Sequence, residues 1–112
     1  MQYLLAIYED EKRWANGYDP AELAEYRKFG EDHRGAIQGG NALQNTSTAT
    51  SVRVRNGNRL TTDGPFAETK EQLAGFYLIE ARDLNDAIQV ASKIPPAREG
   101  SVEVRPVREL NP

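Results

Sequence analysis

Tyr3-Leu4-Leu5-Ala6-Ile7-Tyr8 is a continuous run of apolar and aromatic residues near the start of the chain, and it decides the fold. A run of this length without polar alternation is typical of a strand that is covered on both faces. Gly75-Phe76-Tyr77-Leu78-Ile79-Glu80-Ala81 is a second run of the same kind. We therefore expect a central strand at residues 3 to 8 and a further apolar strand at residues 75 to 81.

A helix is predicted after the first strand and another after the second apolar run. Asp19-Pro20 begins the first helix, because aspartate caps a helix and proline suits its first position. Gly39-Gly40 ends the first helix. Its inward face is predicted from helical spacing to carry Leu23, Tyr26, Gly30, His33 and Ile37. Asp83 caps the second helix, and Pro95-Pro96 stops it. Its inward residues are predicted to be Leu84, Ala87, Ile88, Ala91 and Ile94.

Shorter strands complete the pattern. Residues 42 to 44 are predicted as a short second strand, and residues 50 to 55 alternate between apolar and polar side chains. Asn56-Gly57-Asn58 supplies residues that tolerate positive φ, so the chain returns as a hairpin through residues 60 to 62. Val102 and Val104 alternate with charged residues in a last strand.

This order predicts one α+β domain over residues 1 to 112, with a ferredoxin-like βαββαβ plan and an added β-hairpin. Both helices pack on one face of an antiparallel sheet. The other face also carries apolar side chains and needs a cover, and a second copy of the chain packed sheet to sheet is the simplest one. We expect a homodimer.

Composition excludes several kinds of chemistry. The chain of 112 residues has no cysteine and one histidine, which rules out disulfides, thiolate catalysis, iron–sulfur clusters and sites built from several histidines. We see no anchor for a cofactor or a metal. The net charge of -3 gives no attraction to nucleic acid or to anionic membranes. The start of the chain is unlike a signal peptide, so we expect a cytoplasmic location.

The segment Thr62-Asp63-Gly64-Pro65-Phe66 must turn sharply. Gly64 adopts conformations closed to other residues, and the residue before a proline is pushed away from helix. Such a turn holds Asp63 at a strand end in a fixed direction.

Residues 63 to 71, with the sequence DGPFAETKE, and the strand that follows them resemble the hallmark of the YCII-related, or DGPF-domain, family. The resemblance extends to the first strand, to Gly39-Gly40, to residues 50 to 55 and to residues 102 to 107. It implies a dimeric α+β barrel made of two ferredoxin-like subunits. It also implies small organic substrates such as chlorinated muconolactones, and genes beside those of extracytoplasmic-function sigma factors. The catalytic histidine proposed for one branch lies near the start of the first helix, whereas His33 lies late, so that role is not carried over.

Six residues are candidates for a site, each with a structural alternative. Asp63 is a general base or polar anchor, or a turn residue that bonds its own backbone. His33 is a proton carrier, in a dyad with Asp63 if the helix packs over the hairpin end, or a half-buried histidine bonded to a carbonyl. The others either bind a ligand or are solvated charges: Arg53 and Arg55 as carboxylate anchors, Glu68 and Lys70 as part of a loop over a pocket.

Two functions of different class remain open from the sequence. The first is an enzyme or binding protein for a small organic acid or lactone, in a cleft near Asp63 of a homodimer. The second is a regulatory protein that acts through a partner such as a sigma factor. The first is favoured because the rigid turn places a carboxylate, and because nearby arginines suit an acid.

Overall fold

The computed structural model describes residues 1–110 and has the predicted α+β order. The strands are β1 (Gln2–Glu9), β2 (Ile37–Ala42), β3 (Thr50–Arg55), β4 (Asn58–Asp63), β5 (Gln72–Glu80) and β6 (Ser101–Pro106). The helices are α1 (Pro20–Asp32) and α2 (Leu84–Ser92), with 3-10 turns at Glu11–Trp14, Thr46–Thr48 and Pro95–Arg98.

Four strands form one antiparallel sheet in the order β2-β5-β1-β6. With the hairpin set aside, this is the strand order of a ferredoxin-like domain, so the predicted fold is confirmed. β1 is central, as expected. Its Leu5 lies opposite Tyr77 of β5 on one side and Val104 of β6 on the other.

Alternate residues of β1 point to opposite faces of the sheet. Tyr3, Leu5, Ile7 and Glu9 face the helices, and each is at most 4% exposed. They pack with Phe29 of α1 and with the buried residues of α2, which are Ala87, Val90 and Ala91. Both helices therefore cover the same face.

The other side of the sheet, which we call the open face, has no helix over it. Leu4 and Ala6 of β1 lie opposite Leu78 and Phe76 of β5 there, and Tyr8 continues the row. Leu4, Tyr8, Phe76 and Leu78 are half-buried within one chain because they shield one another. Within residues 1–110, no other element packs over this apolar surface.

α1 begins as predicted and ends earlier. The Asp19 side chain accepts a hydrogen bond from the Ala21 amide, and Pro20 is the first helical residue. The helix was predicted to run to Ile37, but it ends at Asp32, and β2 starts at Ile37 instead of Ala42. Pairing with β5 explains the difference, because it satisfies the backbone of residues 37 to 42 and puts Ile37 opposite Ile79.

The inward face of α2 also differs in part from the prediction. Asp83 caps the helix by accepting a hydrogen bond from the Asp86 amide, as expected. Leu84 and Ile88, however, are 50% and 47% exposed. The helix is so short that the buried stripe through Ala87 leaves both of them at its margin.

β3 and β4 form a separate two-stranded sheet, here called the arm. The predicted hairpin is confirmed: Arg55 lies opposite Asn58, and Asn56 and Gly57 have φ of 52° and 77°. The radius of gyration is 16.0 Å, against about 13 Å for a compact domain of this length, because the arm projects from the body.

Gly75 allows β2 and β5 to approach closely. A Cβ atom on Gly75 would lie 2.8 Å from the backbone oxygen of Asn41 and 3.3 Å from the Cα of Ala42. We expect Gly75→Ala to lower the free energy of unfolding by about 1–3 kcal/mol, measured by urea denaturation. Gly30→Ala is the control, because nothing lies within 4 Å of its added Cβ and alanine favours the helix interior by about 1 kcal/mol. An unchanged urea midpoint for Gly75→Ala would contradict this reading of the β2–β5 contact.

Candidate functional site

A cavity of about 340 Å³ lies between α1 and the helix-facing side of the sheet, beside the β2–β5 pair. We call it the α1 pocket. It is lined by Ile7 and Glu9 of β1, by Tyr18, Leu23 and Tyr26, by Gly40, Asn41 and Ala42 of β2, and by Ala74, Gly75, Phe76 and Tyr77 of β5. The volume suits a small organic molecule, and apolar and aromatic residues form most of the walls.

Glu9 is the one charged residue among those that line the α1 pocket. It lies at the end of β1, on the inward side of the pleat, and is 3% exposed. Within residues 1–110 its carboxylate accepts one hydrogen bond, at 2.5 Å from a terminal guanidinium nitrogen of Arg13 to Oε2. Glu9 therefore belongs both to an ion pair with Arg13 and to the wall of the pocket.

Arg13 holds three carboxylates together. Besides Glu9 it contacts Oε2 of Glu22 at 3.3 Å and Oε2 of Glu99 at 2.6 Å. Burial raises the pKa of Glu9 above its ordinary value of 4.5, Arg13 opposes this rise, and Glu22 adds to it. A carboxyl with a raised pKa beside a cavity can accept a proton from a bound molecule or deliver one to it.

Three tyrosines add polar groups to the apolar walls. Burial raises the pKa of Tyr26 well above its ordinary value of 10.0, and the charge of Glu9 adds to that effect. Burial also raises the pKa of Tyr77 and, together with Glu9 and Glu22, that of Tyr18. The three hydroxyls therefore stay protonated and can donate hydrogen bonds. Within residues 1–110, the tyrosine whose hydroxyl donates a hydrogen bond to another protein atom is Tyr3, and the acceptor is Sδ of Met1.

The segment between β1 and α1 forms the rim of the pocket. Glu11 fixes it to the rest of the protein, because its carboxylate accepts hydrogen bonds from the amide and the hydroxyl of Thr46 at 2.9 and 2.7 Å. Farther along, the rings of Trp14 and Tyr18 stack with centroids 5.9 Å apart. Tyr18 is thereby held at the edge of the cavity.

Trp14 also has a buried polar atom without a partner. Its Nε1 makes no hydrogen bond within the described chain. The indole nevertheless lies close enough to Glu9 to lower the pKa of that carboxyl slightly, although burial outweighs this effect. The geometry falls short of a hydrogen bond, so Trp14 supports the rim mainly by stacking on Tyr18.

The structure places His33 away from the α1 pocket. It follows the last residue of α1, its Nδ1 lies 3.0 Å from the Phe29 carbonyl oxygen, and its ring packs on that of Phe29 with centroids 4.6 Å apart. It lines a separate surface depression together with Lys28 and Lys93, among others. Within residues 1–110 no hydrogen bond or ion pair joins His33 to Asp63.

Asp63 is the last residue of β4 and is exposed. The turn after it is as predicted: Gly64 has φ of 100°, and its amide donates a hydrogen bond to the Ala49 carbonyl at 2.7 Å. The other four candidates, which are Arg53, Arg55, Glu68 and Lys70, are exposed as well. The α1 pocket is lined by none of the six residues proposed from the sequence.

Glu9 is the functional candidate that sequence reasoning missed. The signal is present in the pattern of the first strand, because Tyr3, Leu5, Ile7 and Glu9 share one parity and the first three are apolar. A carboxylate at the fourth inward position has to be paired when it is buried. Arg13, four residues later, supplies that partner.

No helix within residues 1–110 is long and apolar enough to cross a membrane. The same part of the chain holds no group of three or more acidic or histidine side chains arranged to bind a metal ion.

The fold and the cavity define a ferredoxin-like α+β domain with a pocket beneath its first helix. The model of the YCII-related domain matches residues 1–111, and the chain belongs to this family. A relative with the name uncharacterized protein R00369, from Rhizobium meliloti (strain 1021), is 36% identical. That alignment covers 100% of this chain and 96% of the relative.

The Glu9–Arg13 pair can be tested by Arg13→Gln. Glu9 would be left buried without its partner, so we expect the free energy of unfolding to fall by about 1–3 kcal/mol. Arg98→Gln is the matched control, because Arg98 pairs with Glu25 between side chains that are 61% and 44% exposed. Its loss should be much smaller, because water screens an ion pair between exposed side chains. Equal losses in the two variants would contradict the special place of the Glu9–Arg13 pair.

Arg13→Gln also changes how the free energy of unfolding depends on pH. Because burial raises the folded-state pKa of Glu9 above 4.5, Glu9 contributes stability below pH 4.5 and loses that contribution as pH rises through the folded-state pKa. Removal of the Arg13 charge should raise the pKa of Glu9 further and move this loss to higher pH. Titration of the Glu9 carboxyl carbon by NMR measures the shift directly, and a pKa that falls in Arg13→Gln would refute the assignment.

Proposed function

We propose that the protein binds a small organic molecule in the α1 pocket, with Glu9 as its polar partner. The observation that carries this proposal is a carboxylate that is 3% exposed and borders a cavity of about 340 Å³. Burial of a carboxylate costs free energy unless the charge is paired, and Glu9 borders the cavity while Arg13 compensates its charge. Any proton transfer to or from the ligand falls to Glu9, because the pocket is lined by no other carboxyl group.

The walls favour a ligand that is mostly apolar and about the size of one ring system. A neutral lactone, as the family resemblance implies, fits such walls. An organic acid needs a cation beside it, and the arginines proposed for that purpose, Arg53 and Arg55, lie on the exposed strand β3 of the arm. The α1 pocket thus supports a neutral or cationic ligand better than an organic acid.

A steric block of the cavity tests this proposal. Ala42 lines the pocket at the end of β2, so we expect Ala42→Trp to fill part of the cavity and to abolish binding of small organic molecules. Binding is measured by chemical-shift changes of the wild-type protein against a library of lactones, phenols, amines and acids. Ala24→Trp, at an exposed position of α1 that does not line the pocket, should bind as the wild type does. Ligands that still bind Ala42→Trp would place the site elsewhere.

A site near Asp63 is a separate proposal for the same activity. In one chain Asp63 is exposed, so such a cleft needs walls from a second subunit. Asp63→Asn and Glu9→Gln distinguish the two locations, because each replaces a carboxylate by an amide of the same shape. A ligand that responds to Glu9→Gln alone belongs to the α1 pocket, and one that responds to Asp63→Asn alone belongs to the end of the arm.

We also propose that the protein is a homodimer joined through the open face. Leu4, Tyr8, Phe76 and Leu78 form an apolar row there that lies under neither helix. A second sheet stacked on this row would bury it, as in sheet-on-sheet packing. The pocket lies beneath α1 on the other side of the sheet, and Phe76 of β5 belongs to both surfaces.

Leu78→Arg tests the dimer by placing a charge in the middle of the open face. We expect light scattering to give twice the mass of one chain for the wild type and the mass of one chain for the variant, because a buried unpaired charge is costly. Ile88→Arg, at a position of α2 that is 47% exposed, should leave the mass unchanged. A wild-type protein that is monomeric at high concentration would refute the dimer.

A regulatory role through a sigma factor is the alternative, and one feature favours it. The arm exposes apolar side chains, with Val52 at 60%, Val54 at 61% and Leu60 at 49%, and Phe66 beyond its end is 83% exposed. Such residues are available to a protein partner. A purified sigma factor that binds the wild type and loses binding to Val54→Asp would support this alternative.

A further inference from the structure

The α1 pocket has an uneven charge. Glu9 carries a carboxylate to its wall, and among the lining residues there is no lysine, arginine or histidine to balance it from the pocket side. The remaining polar side chains of the wall are tyrosine hydroxyls and the amide of Asn41. A ligand therefore meets one negative group and several neutral ones.

The nearby cations are already engaged. Arg13 is shared by the carboxylates of Glu9, Glu22 and Glu99. Arg98, the next basic residue of this cluster, is bound to Glu25 by two hydrogen bonds at 2.7 and 3.1 Å. The cluster thus contains four carboxylates and two guanidinium groups, which leaves two negative charges in excess when all four acids are ionised.

This negative potential acts on the hydroxyls of two tyrosines in the wall. The charge of Glu9 makes ionisation of both Tyr26 and Tyr18 harder, so the pKa of each is raised beyond the effect of burial alone. The negative potential that disfavours ionisation of these tyrosine hydroxyls would also disfavour the binding of an anionic ligand in the α1 pocket. Aromatic rings themselves attract cations through the negative charge of their faces.

From these contacts we infer that the ligand of the α1 pocket is an organic ammonium compound, whose N–H group donates to the carboxylate of Glu9 while its apolar part lies among Tyr18, Tyr26 and Tyr77. The inference rests on the proposed function and names the class of its ligand. An ammonium group supplies the charge that the cluster lacks, and a charge-assisted hydrogen bond to a carboxylate is stronger than one between neutral groups. A carboxylate ligand would add a third uncompensated charge, and a neutral ligand would leave the excess as it is.

Three compounds of nearly the same shape test the inference, because they differ chiefly in charge: benzylamine, benzyl alcohol and benzoate. Their affinities for the wild-type protein are measured at pH 7 by NMR titration, which also reports whether residues of the pocket shift. We expect benzylamine to bind about 10-fold more tightly than benzyl alcohol, and benzoate to bind most weakly.

Two variants assign the preference to Glu9. Glu9→Gln should reduce the affinity for benzylamine about 10-fold and should reduce the affinity for benzyl alcohol less, so that the preference for benzylamine is lost. Glu22→Gln is the matched control, because Glu22 pairs with Arg13 but does not line the pocket. Glu22→Gln should keep most of the preference for benzylamine over benzyl alcohol. If Glu9→Gln does not fold, the order of the three affinities in the wild type still decides.

The outcomes separate this inference from the proposed function. Binding of benzyl alcohol or benzoate as tightly as benzylamine, with shifts at the pocket, overturns the ammonium assignment and leaves the α1 pocket as a binding site. Binding of none of the three also overturns the assignment, and the wider library with the Ala42→Trp variant then decides the proposed function. A preference for benzylamine that survives in Glu9→Gln would falsify the role given to Glu9.

Discussion

The pleat of β1 is the constraint on which the rest of the structure depends. β1 pairs with β5 on one edge and β6 on the other, so its residues have no freedom to change register without turning every side chain to the opposite face. Tyr3, Leu5 and Ile7 fix the inward face by packing under both helices. Glu9 follows in the same register, and the apolar core therefore forces a carboxylate inward at the strand end.

The position of Glu9 explains the charge arrangement around it. A carboxylate at 3% exposure needs a partner, and Arg13 provides one from the turn that follows the strand. Arg13 also binds Glu22 of α1 and Glu99 of the turn before β6, so the same guanidinium ties three parts of the chain to the end of β1. Arg13 thus compensates the charge of Glu9, which also belongs to the wall of the α1 pocket.

Much of the fold could be predicted from local signals. The caps at Asp19 and Asp83, the positive φ of Asn56 and Gly57, and the two apolar strands each follow from residues that are neighbours in the sequence. The error at the end of α1 has its cause in tertiary pairing. Residues 37 to 40 have helical spacing, but their pairing with β5 overrides it. The α1 pocket depends on contacts between β1, α1, β2 and β5, which are far apart in the sequence, so no local motif could reveal it.

The pocket and the arm share an anchor at the rim. Glu11 binds Thr46, which precedes the arm, and its own amide donates a hydrogen bond to Oε1 of Gln72 at the start of β5. The rim segment that carries Arg13 and Tyr18 is therefore bonded to both ends of the excursion that contains the arm. A partner that moved the arm would displace Thr46 and therefore the rim. A second subunit stacked on the open face would instead contact β1 and β5 on the side of the sheet without helices. The two proposed interactions thus reach the α1 pocket by different routes, the arm through the rim and the open face through Phe76 of β5.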